Sequence, residues 1–141
     1  MSKNPNTEQR NRDFNRCCLD IYDRISREGR TPLLHEVVRH AIACRPQAFY
    51  IDPVYAYNKL CRMSRLPARR ACTPSHCMWM QLEALVTAER LRSGCSMLTA
   101  LGNVLIRERP STFAISMAEG LRIARPWFIR RMSHRPRRSL L

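Results

Sequence analysis

The chain has 141 residues, enough for one domain or two very small ones, and 45% of them are apolar, which builds a core without metal or disulfide staples. Lys and Arg number 25 against 11 Asp and Glu, a formal net charge of +14, and that imbalance points to a polyanionic partner, nucleic acid or an anionic membrane surface. Four scattered glycines exclude the phosphate-cradling loops G-x-x-x-x-G-K and G-x-G-x-x-G.

The first ten residues are polar and read as a flexible N-terminus. They carry no apolar signal core, so the expected protein is soluble and cytoplasmic. Phe14, Cys18, Ile21 and Ile25 then recur at spacings of four, three and four, the stripe of an amphipathic helix over about 11–28 with Gly29 at its left-handed end. Thr31-Pro32 caps a second helix to about Cys44, with Leu34, Val38, Ala41 and Ile42 on one face, and Arg45-Pro46 stops it. Phe49-Tyr50-Ile51 reads as a short extended piece before Asp52-Pro53 opens a third helix, with Ala56, Tyr57, Leu60 and Met63 inward.

Residues 64–73 form a basic loop. Thr73-Pro74 opens a fourth helix with a core stripe of Met78, Leu82 and Leu85, with Val86 beside them, closed by Gly94. A fifth, about 96–108, buries Leu98, Leu101 and Leu105. Its apolar run, Met97 to Ile106, is about half the ~20 residues that a membrane span needs. Phe113-Ala-Ile115 is a second extended piece, and Ser116-Met-Ala-Glu119 is a capping box for a last helix ending near Ala124, before Arg125-Pro126.

The segments from Arg45 to Asp52 and from Arg109 to Ser116 share the pattern R-P-x-x-F-x-I-cap at an offset of 64 residues. The expected fold is therefore mostly α: a helical domain over 11–126 with pseudo-repeats 11–64 and 74–124, each helix–helix–short strand–helix. The two strands would pair as a minimal ribbon with Phe49 and Phe113 as neighbours. Residues 127–141 form an Arg-rich C-terminal arm whose removal should barely disturb folding.

Seven cysteines at irregular spacing read as small buried hydrophobes in a reducing compartment. Cys61, Cys72, His76 and Cys77 lack the usual zinc spacing, so no metal or other cofactor is expected. Cys44 near His40 could be an activated thiol, but it falls on an apolar helix edge. No paired carboxylates suggest catalysis, and the chain reads as a non-enzyme.

The charge is concentrated. Between Pro53 and Leu82 there is no acid, and the segment holds Lys59, Arg62, Arg65, Arg69 and Arg70. From Gly120 onward there is again none, against Arg122, Arg125, Arg130, Arg131, Arg135, Arg137 and Arg138. These arginines are the candidate phosphate contacts, because a guanidinium binds phosphate through a planar fork. Trp127 is a candidate stacking residue for a base, while Phe128 and Ile129 are expected to pin the arm to the core. The expected function is nucleic-acid binding, DNA or RNA, through the phosphate backbone. The alternative is a non-enzymatic assembly protein, a phage, mobile-element or ribosome-associated component, whose basic arm docks on an acidic partner.

Overall fold

Helix α1 (Pro5–Arg27) opens the computed structural model, which describes residues 4–63 and 73–133. It starts six residues before its apolar stripe predicts, because Asn4 and Pro5 repeat the cap-plus-proline device. The Asn4 side chain accepts from the Asn6 amide at 2.9 Å, and Pro5 spends no amide in the first turn. Among the described residues five more helices follow: α2 (Leu34–Ile42), α3 (Pro53–Met63), α4 (Pro74–Ser93), α5 (Met97–Arg107) and α6 (Met117–Ser133). The protein is mostly α, as its periodicity implies. Thr73, Asp52, Ser96 and Ser116 each accept an amide three residues on, at 3.1–3.2 Å. Gly29 (φ +78°) and Gly94 (φ +66°) take the left-handed conformation after α1 and α4. Glu119 does not return the capping-box bond; its carboxylate pairs with Arg10 of α1 at 3.1 Å.

The helices share out into two apolar clusters that ignore chain order. The first joins α1, α2 and α6 around Phe14, Cys18, Ile21, Ile25, Val37 and Val38, and is sealed by Phe113 and Ile115. The second joins α3, α4 and α5 around Leu60, Trp79, Leu82, Val86, Leu101 and Val104, with Phe49 added. The chain thus lays two helices in the first cluster, crosses to place three in the second, and returns with α6. Gly120 is a point of close approach of α6 to its neighbours: a Cβ there would sit 2.7 Å from Cγ1 of Val38 and 3.3 Å from the ring of Phe14.

Four expectations are corrected. No strand forms among the described residues, and the two extended segments do not make a ribbon. Phe49 and Phe113 are sequestered in different clusters, and a single backbone bond, from the Phe113 amide to the Ile42 carbonyl (3.1 Å), ties residues 108–116 to the first half. The inner stripe of α4 is turned by about one residue, so Trp79 is buried where Met78 was expected, together with Leu82, Val86 and Glu89. In α5, Ala100, Leu101 and Val104 face inward, and Leu98 is exposed. Finally, α6 runs through Pro126 to Ser133. Proline removes the amide that would bond the Arg122 carbonyl and costs about 3 kcal/mol in a helix interior. Trp127, Phe128 and Met132 offset that cost by packing on the first cluster. The start of the predicted arm is therefore helix, and truncation within 127–133 removes core contacts.

The crossing between clusters is organised by residues 43–52. Phe49 and Tyr50 are adjacent, yet Phe49 enters the second cluster and Tyr50 packs on the first. Tyr50 has φ +58°, a left-handed conformation that costs a non-glycine residue about 1 kcal/mol or more. Its side chain holds that bend in place. The ring stacks on Phe113 (6.4 Å between centroids), the hydroxyl donates to Asp13 at 2.6 Å, and it accepts from the Gln47 amide at 3.2 Å. Arg109 lies alongside and donates to the Pro46 carbonyl at 2.7 Å and to that of Arg45 at 3.2 Å. Of the two arginines that open the R-P-x-x-F-x-I segments, this one serves as a structural clamp.

Candidate nucleic-acid interface

Most carboxylates are already committed within the chain. Glu28 and Glu36 hold Arg30, Glu119 holds Arg10, Glu108 meets Arg107, and Asp52 caps α3. Buried Glu89 receives Arg92 and Arg107 together, with Asn103 at 3.4 Å. The two guanidiniums, Arg107 first, hold the Glu89 carboxyl down at about 2, well below the ordinary glutamate value.

The α6 surface is the opposite case. Arg122, Arg125 and Arg130 are exposed, and none forms an ion pair with the described residues. Because the helix continues through Pro126, Ala118, Arg122, Arg125 and Ile129 fall on one face at spacings of four, three and four. Together with Leu121 and Pro126 they line an open groove of about 530 Å³. Its floor is apolar and its edge carries two guanidiniums. Ile129 was expected to pin the arm to the core; it is 56% exposed and belongs to this groove. Phe128 does pack inward, edge-on to Tyr22 at 5.7 Å.

The other predicted contacts divide. Arg131 is turned to α1, where it donates to Asp23 at 2.7 Å and lies 5.5 Å from the Tyr22 ring centre. Trp127 is half-buried, donates its indole N–H to Asn15 at 2.8 Å and meets Tyr22 edge-on, so its polar edge is spent within the fold. Arg62 is exposed at the end of α3, a helix of the second cluster rather than the first. Lys59 caps the Trp79 ring at 4.8 Å. Arg65, Arg69, Arg70, Arg135, Arg137 and Arg138 lie outside the described residues.

The groove residues Ala118, Leu121 and Pro126 were missed by sequence reading. The signal for them was present, a 118–122–125–129 helical face, but it becomes visible only once the helix is allowed to pass through Pro126.

Two thiols of α1, Cys17 and Cys18, sit in surroundings that disfavour the thiolate. Burial, then Cys44 nearby, pushes Cys17 up to about 11, and burial pushes Cys18 up to about 12. The Cys44 thiol donates to the backbone carbonyl of His40 at 3.4 Å. Cys61 lies 3.9 Å from the Met97 sulfur, and Cys72 is outside the described residues. Among the described residues no three His, Cys, Asp or Glu side chains are grouped to hold a metal ion, and no helix is long and apolar enough to cross a membrane.

No protein-family model, curated protein or solved structure matches this chain.

Proposed function

We propose that the chain binds nucleic acid through its phosphate backbone, with α6 as the contact helix. The observation that carries this reading is the state of the α6 arginines. Arg122, Arg125 and Arg130 reach solvent without a carboxylate partner, while most acids of the chain are held by other groups. Guanidiniums free of internal pairing can each release a condensed counterion from a phosphate. The apolar floor of Leu121, Pro126 and Ile129 suits the sugar edge or an unstacked base beside those phosphates. Contacts of this type set position and carry no sequence preference of their own. Arg62 and the arginines at 65, 69, 70, 135, 137 and 138 are proposed as further phosphate contacts, and Arg131 as one that must first leave Asp23.

The test is a salt titration of binding to two unrelated duplexes and one single strand. Replacing Arg122, Arg125 and Arg130 by Gln should flatten the log K against log[salt] slope by about 2–3 units on duplex, at ~0.9 unit per contact. Ending the chain at Ser133 keeps α6 whole and should flatten it by a similar amount through Arg135, Arg137 and Arg138. Both changes should weaken all three ligands alike. Unchanged slopes in both would move the reading to an acidic protein partner.

We further propose that the two R-P-x-x-F-x-I segments descend from one duplicated unit. Support comes from the equivalence of Ala56 and Gly120, both buried and 64 residues apart, on the two helices that cross between clusters. On this proposal fragment 1–72 folds as a homodimer, each third helix covering the other copy's first two. A fragment unfolded at every concentration would count against it.

A further inference from the structure

Helix α4 is apolar on two sides. Its inner side, Trp79, Leu82 and Val86, fills the second cluster. On its outer side Cys77, Met80, Ala84, Thr87 and Leu91 recur at spacings of three, four, three and four, and all five are exposed. Leu91 is 83% exposed and Met80 46%. That rhythm is a coiled-coil seam about four turns long. The outer side of α1, by contrast, is charged, with Arg12, Arg16, Asp20 and Arg24 exposed.

We propose that this seam is a self-association surface on which two copies of the chain pack α4 against α4, antiparallel, about a twofold axis. Charge decides both the occupant and the direction. Glu83 and Arg90 lie two turns apart on the same flank of the seam, and neither forms an ion pair within the described residues. When Met80 faces the partner's Leu91 and Ala84 faces the partner's Thr87, Glu83 falls beside the partner's Arg90. The twofold axis then makes that pair twice, as an isologous interface requires. A parallel pairing sets Glu83 beside the partner's Ala88 and gains neither ion pair. The small residues Ala84 and Thr87 at the centre let the two backbones approach closely.

The stretch from Thr73 to Ile106 contains Glu83, Glu89, Arg90 and Arg92 and is electrically neutral within a chain of formal charge +14. It is thus a region where two copies repel each other least, and where a polyanion is attracted least. The proposal does not depend on nucleic-acid binding. One helix pair buries less than the ~1,000 Å² of a stable interface, so the dimer is a weak one, with a dissociation constant on the order of 10–100 μM.

The test is sedimentation equilibrium of the nuclease-treated full-length chain from about 1 μM to 1 mM, with helicity followed by circular dichroism. The wild-type chain should dimerise reversibly and stop at two. Glu83→Arg and Arg90→Glu should each raise the dissociation constant at least tenfold, and the two together should restore it to within about threefold. Arg90→Glu is the sharper arm, since it lowers the net charge and generic repulsion alone would strengthen association. Leu91→Glu should leave a folded monomer. A chain monomeric at 1 mM overturns the proposal and leaves the seam to a different protein. Dimers indifferent to Glu83→Arg, or a double variant no tighter than the singles, overturn the antiparallel pairing.

Discussion

At the residue scale, Glu89 ties the end of α4 to the end of α5. It lies on the inner face of α4 one turn after Val86, and a lone carboxylate there would be costly to bury. Arg107 and Arg92 keep it ionised, with its folded value near 2 against 4.5 for an ordinary glutamate. The sign follows from that depression. The ion cluster stabilises the fold in full above about pH 5, and its contribution fades as the pH falls toward 2 and the carboxylate is protonated. Glu89→Gln should therefore melt lower than wild type at pH 7, and the gap should narrow steadily between pH 5 and pH 2. Thermal melts across that range check it. A gap that stays constant with pH would mean that the cluster's charge contributes nothing. The inward position of this glutamate was not legible in the sequence, because Arg107, the first of the two groups that hold it, reaches it from α5, 18 residues on.

At the element scale, four side-chain caps and two glycine stops were legible, whereas the start of α1, the start of α2 (at Leu34 after an uncapped Leu33 and not at Thr31-Pro32), the end of α6 and the helix phases were less so. Caps are local: Thr73, Asp52, Ser96 and Ser116 satisfy amides only three residues away, and Gly29 and Gly94 follow from backbone sterics. Phase depends on what a helix meets. An outer stripe of Met80, Ala84 and Leu91 competes with the inner stripe of α4, so periodicity alone could not place Trp79 inward. The stop at Arg125-Pro126 failed for the same reason, since contacts with Tyr22, 105 residues before Trp127, outweigh a local penalty. Pro126→Ala restores a donor to the Arg122 carbonyl while Trp127, Phe128 and Met132 keep their places. It should stabilise the protein, by up to about 3 kcal/mol on the interior-helix scale. Denaturant unfolding measures this, and a destabilised variant would show that the fold is built around the proline.

At the scale of the whole molecule, unpaired guanidiniums gather along α6, while α4 exposes an uncharged apolar stripe. The acid-free run after Gly120 announced the exposed arginines of α6 in advance. The apolar groove floor beside them, and the sharing of helices between clusters, arise only when distant segments meet. That sharing has a mechanical consequence. Residues 1–63 hold the α1–α2 pair of the first cluster and a third helix that belongs to the second; residues 73–133 hold the α4–α5 pair of the second and a third helix that belongs to the first. A helix pair without its third member leaves Val38 and Phe14, or Leu101 and Leu82, without part of their cover. Separately produced 1–72 and 73–141 should thus each be poorly folded as monomers, with broad, uncooperative melts. Mixed in equal amounts they should recover the helicity and a single cooperative transition of the intact chain, because each supplies the helix that the other lacks. Joining them only by association adds a concentration dependence that the linked chain does not have. Complementation titrated by circular dichroism reads this directly. Two fragments that each melt cooperatively as monomers would mean that the crossing helices α3 and α6 are ornaments on self-sufficient pairs. In that case the close packing of Gly120 on Val38 would matter little, whereas an interlocked fold makes it a contact on which both halves depend.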